Sequence, residues 1–303
     1  MAATTIEELH PDVLSCALRR LDGRSLAAAS CATAGLRALA ADPETWRALC
    51  LAEWPSLAGR ARLLSVVPPR RFFADAFPFP CQDAGELGGG GGGDGLLPTE
   101  LVSAVDVYYR GAPLLSRVVE TASSSSWFLG SPFRVEAFEC KKPVADAVLS
   151  PAELELSWVV VDPVRGRAVN LSSRRAVAVD RHWYTGETLV RFAVVLGGCK
   201  FETTVTCSEG TGHISEVSLA VQDADGAAVS GERSLRLLAA AMEEQRKGGD
   251  RERDEAKRRY DEFVKSKKGR MESKARREAL IDLCCSAASA MAVLSFVAAV
   301  VLR

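Results

Sequence analysis

Apolar residues recur at helical spacing near the start of the chain, at strand spacing through its middle, and almost without interruption near its end. Behind Pro11 and Asp12, Val13, Leu14, Ala17, Leu18 and Leu21 make one stripe. Proline suits a first helical turn, where its missing N–H has no partner to lose, and the aspartate complements the positive helix N-terminus. Asp22-Gly23 is expected to close this helix. Ser25 is the expected N-cap of a second helix that carries Leu26, Ala29, Thr33, Leu36 and Ala40 inward. Asp42-Pro43 opens a third, with Trp46, Leu49, Cys50 and Trp54 at helical spacing and Pro55 ending the run. The next stretch loosens. Pro68-Pro69-Arg70-Arg71-Phe72-Phe73 and Phe77-Pro78-Phe79-Pro80 read as irregular chain packed over the first unit. The glycine run 88–93 marks residues 82–97 as a flexible loop, because no packed element tolerates so large an entropic cost. A phosphate-cradling role does not fit, since no Gly-Lys-Ser/Thr follows.

Strand periodicity takes over between residues 127 and 229. Phe133, Val135 and Ala137 alternate with charged residues; Leu154, Leu156, Trp158 and Val160 recur at every second position, as do Val190, Phe192, Val194 and Leu196, and Phe201, Thr203, Val205 and Cys207. Turn chemistry separates these runs at Asp162-Pro163, Thr185-Gly186, Gly197-Gly198, Gly210-Thr211-Gly212 and Asp225-Gly226. The combination predicts an antiparallel sandwich or curved sheet. Residues 100–109 fit helix or strand equally. Beyond the strands, residues 234–245 are apolar at Leu235, Leu237, Leu238 and Met242 with helix formers throughout. A charged run, 250–278, follows, with Glu255/Arg259 and Asp261/Lys265 at i,i+4 and a thin apolar edge of Tyr260, Phe263 and Val264. It reads as a solvated helical stalk, and its interleaved acids argue against nucleic-acid binding.

Residues 283–302 carry no charge. Twenty helical residues span roughly 30 Å, the hydrocarbon thickness of a bilayer. Lys265, Lys267, Lys268, Arg270, Lys274, Arg276 and Arg277 crowd the N-terminal flank, which places everything upstream in the cytosol by the positive-inside rule. The expectation is a single-pass C-terminal tail anchor, the endoplasmic reticulum being the first choice of membrane. Cys284-Cys285 at the cytosolic edge are candidates for palmitoylation.

The opening string Leu9-His10-Pro11-Asp12-Val13-Leu14, Leu18, Leu21-Asp22-Gly23, Leu26, Asp42-Pro43, Trp46 and Trp54-Pro55 resembles an F-box, with the usual proline displaced by one position. So small a helical unit buries only part of its apolar surface, so a partner or second domain must cover the rest. Downstream, Asp162-Pro163, Asn170-Leu171-Ser172-Ser173 and His182-Trp183-Tyr184 look like a plant F-box group with a β-rich domain and a hydrophobic tail. The resemblance implies a non-catalytic substrate receptor of SCF-type ubiquitin ligases. Leu9, Pro11, Asp12, Leu14, Leu18, Leu21 and Leu26 would bind the adaptor subunit and, through it, the cullin scaffold. His182, Trp183 and Tyr184 are the candidate contacts to a protein target or flat ligand, since exposed aromatics stack well. The alternative is a ligase-independent, membrane-tethered binding protein with a lectin-like β domain. The expected fold is α+β: an F-box over 5–56, an irregular connector over 57–99, a β-rich domain over 100–240, a charged stalk over 241–278 and a transmembrane tail over 279–303.

Composition narrows this further. Lys plus Arg number 38 against 39 Asp plus Glu, so no basic nucleic-acid footprint exists. No apolar run follows Met1, so no secretory leader is expected. The nine cysteines include no Cys-x-x-Cys pair, which fits free thiols in a reducing compartment and excludes a zinc RING. Neither a metal nor a cofactor is expected. The histidines are His10, His182 and His213; Ser208, Glu209 and His213 superficially offer a triad but sit in one glycine-rich turn. Ubiquitin transfer would therefore be performed by partners.

Overall fold

The computed structural model describes residues 9–60, 62–77, 97–139, 149–243 and 252–301; side chains at 252–254, 293, 296, 297 and 299–301 also fall outside it. The glycine run, Cys81 and Cys140 lie outside the described residues.

Helix α1 (Pro11–Leu18) starts with Pro11 in its first turn, and His10 Nδ1 accepts the Asp12 N–H at 3.3 Å. The histidine that displaces the proline is thus the N-cap. Asp22 caps α2 (Gly23–Ala32), not Ser25 as expected. Its carboxylate accepts both the Ser25 N–H (2.9 Å) and the Ser25 hydroxyl (3.0 Å), and the backbone bond draws its pKa below the ordinary aspartate value. Nor does the second helix run unbroken to Ala40. Thr33 adopts an extended conformation, and its Oγ1 caps α3 (Ala34–Leu39) by accepting the Leu36 N–H at 3.2 Å. Side-chain capping by threonine competes with helix continuation, which a periodicity reading overlooks. Helix α4 (Pro43–Glu53) begins as expected, with Asp42 accepting from Glu44 N–H and the Thr45 hydroxyl.

The segment after Trp54 is helical rather than irregular: a 3-10 turn at Pro55–Arg60, α5 (Leu63–Val66) and α6 (Pro69–Ala76). Pro69 occupies the first turn of α6, where proline is tolerated. Phe72 and Phe73 then stack on the tryptophans, with ring centroids at 5.2 Å (Trp54–Phe72), 5.4 Å (Trp46–Phe73) and 5.6 Å (Trp54–Phe73). Gly23 is part of this packing. A β-carbon there would stand 2.1 Å from Phe73 Cζ.

Two antiparallel sheets follow. The first has the order β2 (Ala112–Ala122), β1 (Glu100–Tyr109), β4 (Leu154–Asp162), β5 (Arg167–Asn170), with β6 (Arg174–Arg175) also on β4. The second runs β3 (Arg134–Glu139), β10 (Ile214–Gln222), β9 (Cys199–Cys207), β8 (Thr188–Leu196), β7 (Ala178–Arg181). Residues 100–109 thus resolve as strand. Helix α7 (Ser126–Gly130) precedes β3, and α8 (Gly231–Glu243) closes the inter-sheet core with Leu235, Leu238, Ala241 and Met242.

Strands β1 and β4 are buried on both faces. Leu101, Val105, Val107, Leu156, Trp158 and Val160 face the second sheet, whereas Val102, Ala104, Val159 and Val161 join the core of the helical unit. Period-two alternation therefore divides one strand pair between two cores. Polar contacts pin the same junction. Trp54 Nε1 donates to Ser157 Oγ at 2.9 Å, and Tyr108 OH donates to the Glu53 carbonyl. Asp75 accepts from Arg167 Nε (2.9 Å) and the Ala168 N–H (3.2 Å). Arg174 lies 4.6 Å above the Tyr108 ring and donates to Glu53 (2.8 Å) and Glu155 (2.9 Å). At its centre Asp106, fully buried, accepts the Ser56 N–H at 2.8 Å and the Ser56 hydroxyl at 2.6 Å.

Helix α9 (Glu252–Val301) is not a free stalk at its start. Phe263 is buried, Lys200 Nζ lies 5.6 Å from the Tyr260 ring centroid, and Arg270 approaches Asp225 at 3.8 Å, so this portion covers the outer face of the second sheet. Of the thin apolar edge noted in the sequence, Tyr260 and Phe263 make that seam, whereas Val264 is exposed. Farther on, described side chains from Met271 are exposed. Among the described residues no helix is long and apolar enough to cross a membrane. The expected span is helical as far as Val301, but several of its apolar side chains lie outside the described set.

Two outcomes test this packing. Gly23→Ala should lower stability by about 1–3 kcal/mol through overpacking against Phe73. Gly35→Ala, with only Thr33 Oγ1 near at 3.9 Å, should be neutral or raise stability by up to about 1 kcal/mol in urea unfolding. At Asp106, burial pushes the carboxyl above its ordinary 3.8 despite hydrogen bonds from Ser56 and Ser116 that favour the ionised form. A raised folded-state pKa means the folded protein holds more protons, so stability falls as pH rises from 3.8 through the folded value. Relative to Asp106→Asn, the wild type should lose stability over that rise in urea titrations at stepped pH; a pH-independent difference would contradict it.

Candidate functional site

The outer edge of the helical unit is the first candidate surface. The chain entering α1 and the helix's first turn present Leu9, Pro11, Asp12 and Val13 to solvent, with Leu9 42% and Val13 56% exposed, and Leu14 in the helix and Leu21 just after it are half-buried. Leu18 and Leu26, expected at the same surface, are buried in the helical core with Trp46 and Phe72. They support the surface from beneath. Val13, absent from the sequence-based set, is the most exposed large apolar residue of α1; its place one turn after Leu9 is the signal that would have found it. Cys16 and Cys31 are exposed thiols of the same unit, whereas Cys50 is buried and its pKa is pushed up to about 12 by burial, the setting of an inert core thiol.

The second surface is the β7–β8 hairpin. Arg181 pairs with Thr188 in the ladder, and residues 182–187 form the tip. Gly186 N–H donates to the His182 carbonyl at 3.0 Å and His182 N–H to the Glu187 carbonyl at 2.7 Å. The Thr185 N–H meets His182 Nδ1 at 3.2 Å, while the Thr185 hydroxyl donates to Glu187 Oε2 at 2.8 Å. Gly186 is favoured by its φ of +73°, and the carboxylate of Glu209 packs over it and ties the tip to the neighbouring turn through an ion pair with Arg181. On this closed turn Trp183 is 90% and Tyr184 79% exposed, edge to face at 5.6 Å. The fold brings the predicted His182, Trp183 and Tyr184 together, but the aromatics project as a convex tip instead of lining a pocket. His182 works within the turn.

The superficial triad dissolves into local structure. Glu209 is engaged by Arg181, His213 is buried, and its backbone carbonyl accepts the Ser208 N–H at 2.8 Å. Among the described residues no cluster of three or more His, Cys, Asp or Glu could hold a metal ion. Asn170, which with Leu171 and Ser172 spells a formal N-glycosylation sequon, is buried, and its side chain accepts the Ser172 N–H at 3.0 Å.

No protein-family model matches the chain, and no solved structure matches it. Curated relatives do. The chain is 37% identical over 298 residues to Probable F-box protein At2g36090 of Arabidopsis thaliana, covering 93% of this chain and 90% of that protein. It is 33% identical over 315 residues to F-box protein At2g27310 of the same plant, covering 93% and 92% respectively. F-box protein GID2 of Oryza sativa subsp. japonica is 40% identical over 62 residues, 20% of this chain and 29% of that protein. Near-complete coverage by the first two relatives extends the similarity through the β sandwich as well as the helical unit, and the chain therefore belongs to the plant F-box proteins.

Proposed function

We propose that this protein is a substrate receptor of an SCF-type ubiquitin ligase. The observation that carries the reading is the exposed apolar edge at the start of α1, Leu9 and Val13 with half-buried Leu14 beside them, on a helical unit whose other side is buried against the sheet. A small helical unit leaving that edge uncovered fits an adaptor subunit, which would link it to the cullin scaffold. Ubiquitin transfer belongs to those partners. The chain's contribution is to hold a target near the ubiquitin-charged enzyme and so raise its effective concentration.

The target-facing surface is assigned to the hairpin tip. Trp and Tyr dominate the energetics of protein interfaces because they bury large area at little rotamer cost, and here the backbone beneath them is already closed by hydrogen bonds. A convex aromatic tip fits a concave apolar site on a folded protein target better than a sugar or an extended peptide.

The stretch 283–302 is read as a membrane anchor with the upstream domains in the cytosol, the endoplasmic reticulum being first in line. Support comes from its uncharged sequence, its basic flank, and the exposure of Leu280, Ile281, Leu283, Met291 and Leu294 along α9. A receptor held in this way would sample targets at that surface.

Co-purification from plant cells separates the roles. Leu9→Asp/Val13→Asp should reduce recovery of adaptor and cullin at least tenfold, the loss expected for about 1.4 kcal/mol or more at an interface core, with the unfolding midpoint unchanged. Trp183→Ala/Tyr184→Ala should keep both subunits and stabilise the target in quantitative proteomics. Full recovery of adaptor with the first variant would overturn the interface, and absence of adaptor from the wild-type preparation would favour a ligase-independent tether.

A further inference from the structure

The face that α9 lays on the second sheet changes character as the helix leaves it. Tyr260 and Phe263 form the seam; Lys267, Arg270, Lys274 and Arg277 continue the same face at three- and four-residue steps, so they follow one another along a single side of the helix. The change falls at the turn after β10. Lys267 lies against Gly226 and Arg270 against Asp225, among the described residues the only acid lining the shallow cleft that Ser266, Ser273, Lys274 and Arg277 complete. Its balance of charge is positive. At about 1.5 Å per residue, Arg277 and Lys274 stand roughly 9 and 14 Å along the helix from Leu283, where the uncharged stretch begins.

From this geometry we infer that the Lys267 to Arg277 face of α9 is a docking surface for anionic phospholipid headgroups. The inference rests on the membrane reading of residues 283–302. With the uncharged stretch in hydrocarbon, headgroups occupy the next several ångströms, and extended Lys274 and Arg277 side chains reach them. Each basic residue near an anionic surface strengthens binding about fivefold, and the attraction fades over about 10 Å at ordinary salt. Because the start of α9 is packed on the sandwich, seating this face also fixes how the body stands. The β8 strand runs from the hairpin end, Thr188, to the Gly197-Gly198 end, about 27 Å at roughly 3.4 Å per residue. The exit of α9 lies at the latter end, beside the turn after β10, so Trp183 and Tyr184 point away from the bilayer.

Newly synthesised full chain, titrated with phosphatidylcholine vesicles or with vesicles of phosphatidylcholine and phosphatidylserine and then floated, tests this. Wild type should bind the anionic vesicles at least about twenty-five-fold more tightly. Lys274→Gln/Arg277→Gln should remove about twenty-five-fold of affinity for them, the product of two such steps. Lys257→Gln/Arg258→Gln removes the same charge at roughly 38 Å from Leu283 and should change affinity less than twofold. Equal capture by both vesicle types would overturn the inference while leaving apolar anchoring intact. Capture by anionic vesicles alone would uphold it and argue against the anchor. Equal losses in the two variants, or displacement of wild type by millimolar inorganic phosphate at matched ionic strength, would overturn it in favour of diffuse charge or a free-phosphate site.

Discussion

Everything in this molecule hangs on a strand pair buried on both faces. Strands β1 and β4 give alternate residues to two cores, so neither the helical unit nor the second sheet can leave without exposing apolar strand surface. At about 25 cal/mol per Å² of apolar area, the dispersed burial outweighs any single polar contact at the junction. The polar contacts set its register instead. Asp106, Asp75 and Arg174 each engage partners across the boundary, and a slip of either side would strand buried charge, which costs several kcal/mol per uncompensated ion.

That constraint has a consequence for recruitment. In a receptor whose helical unit hung on a flexible linker, the target would sample a wide volume around the ligase. Here the α1 edge and the 182–187 hairpin belong to elements joined through one sheet system, with the hairpin on a short antiparallel ladder and its tip closed by its own hydrogen bonds. The distance between the two surfaces is set by packed structure. On the proposed reading, specificity would lie in which target surfaces accept a rigid aromatic tip at that distance, and the proposed lipid-facing side of α9 would add a second constraint on where such targets reside.

Much of this was legible in the sequence, for physical reasons that can be named. Proline and aspartate at 42–43 specify a helix start by local chemistry, and the alternation of Leu154, Leu156, Trp158 and Val160 specifies a strand. The F-box string fixed the family. What escaped was nonlocal or competitive. Asp22 and Ser25 are both good caps, and only the paired hydrogen bonds decide for Asp22. Thr33 sits correctly for an inward stripe yet breaks the helix, because its side chain offers the backbone an alternative partner. Phe72 and Phe73 looked irregular because Pro68-Pro69 precedes them, although proline begins α6 without cost. The adaptor set mixed exposed Leu9 with buried Leu18 and Leu26, since an amphipathic stripe does not reveal which of its residues face a neighbour within the chain. The exposure of Trp183 and Tyr184 at a turn was legible because two adjacent aromatics beside Thr185-Gly186 have no alternating pattern to absorb them.

The central claim is that the helical unit and the sandwich are one cooperative body. Native-state hydrogen exchange by mass spectrometry, on the full chain in increasing sub-denaturing urea, reads this directly. Amides of α4 and of β1 and β4 should converge on a single opening free energy with a common denaturant slope. An α4 that opens at lower free energy with its own shallow slope, while β1 and β4 stay protected, would contradict it.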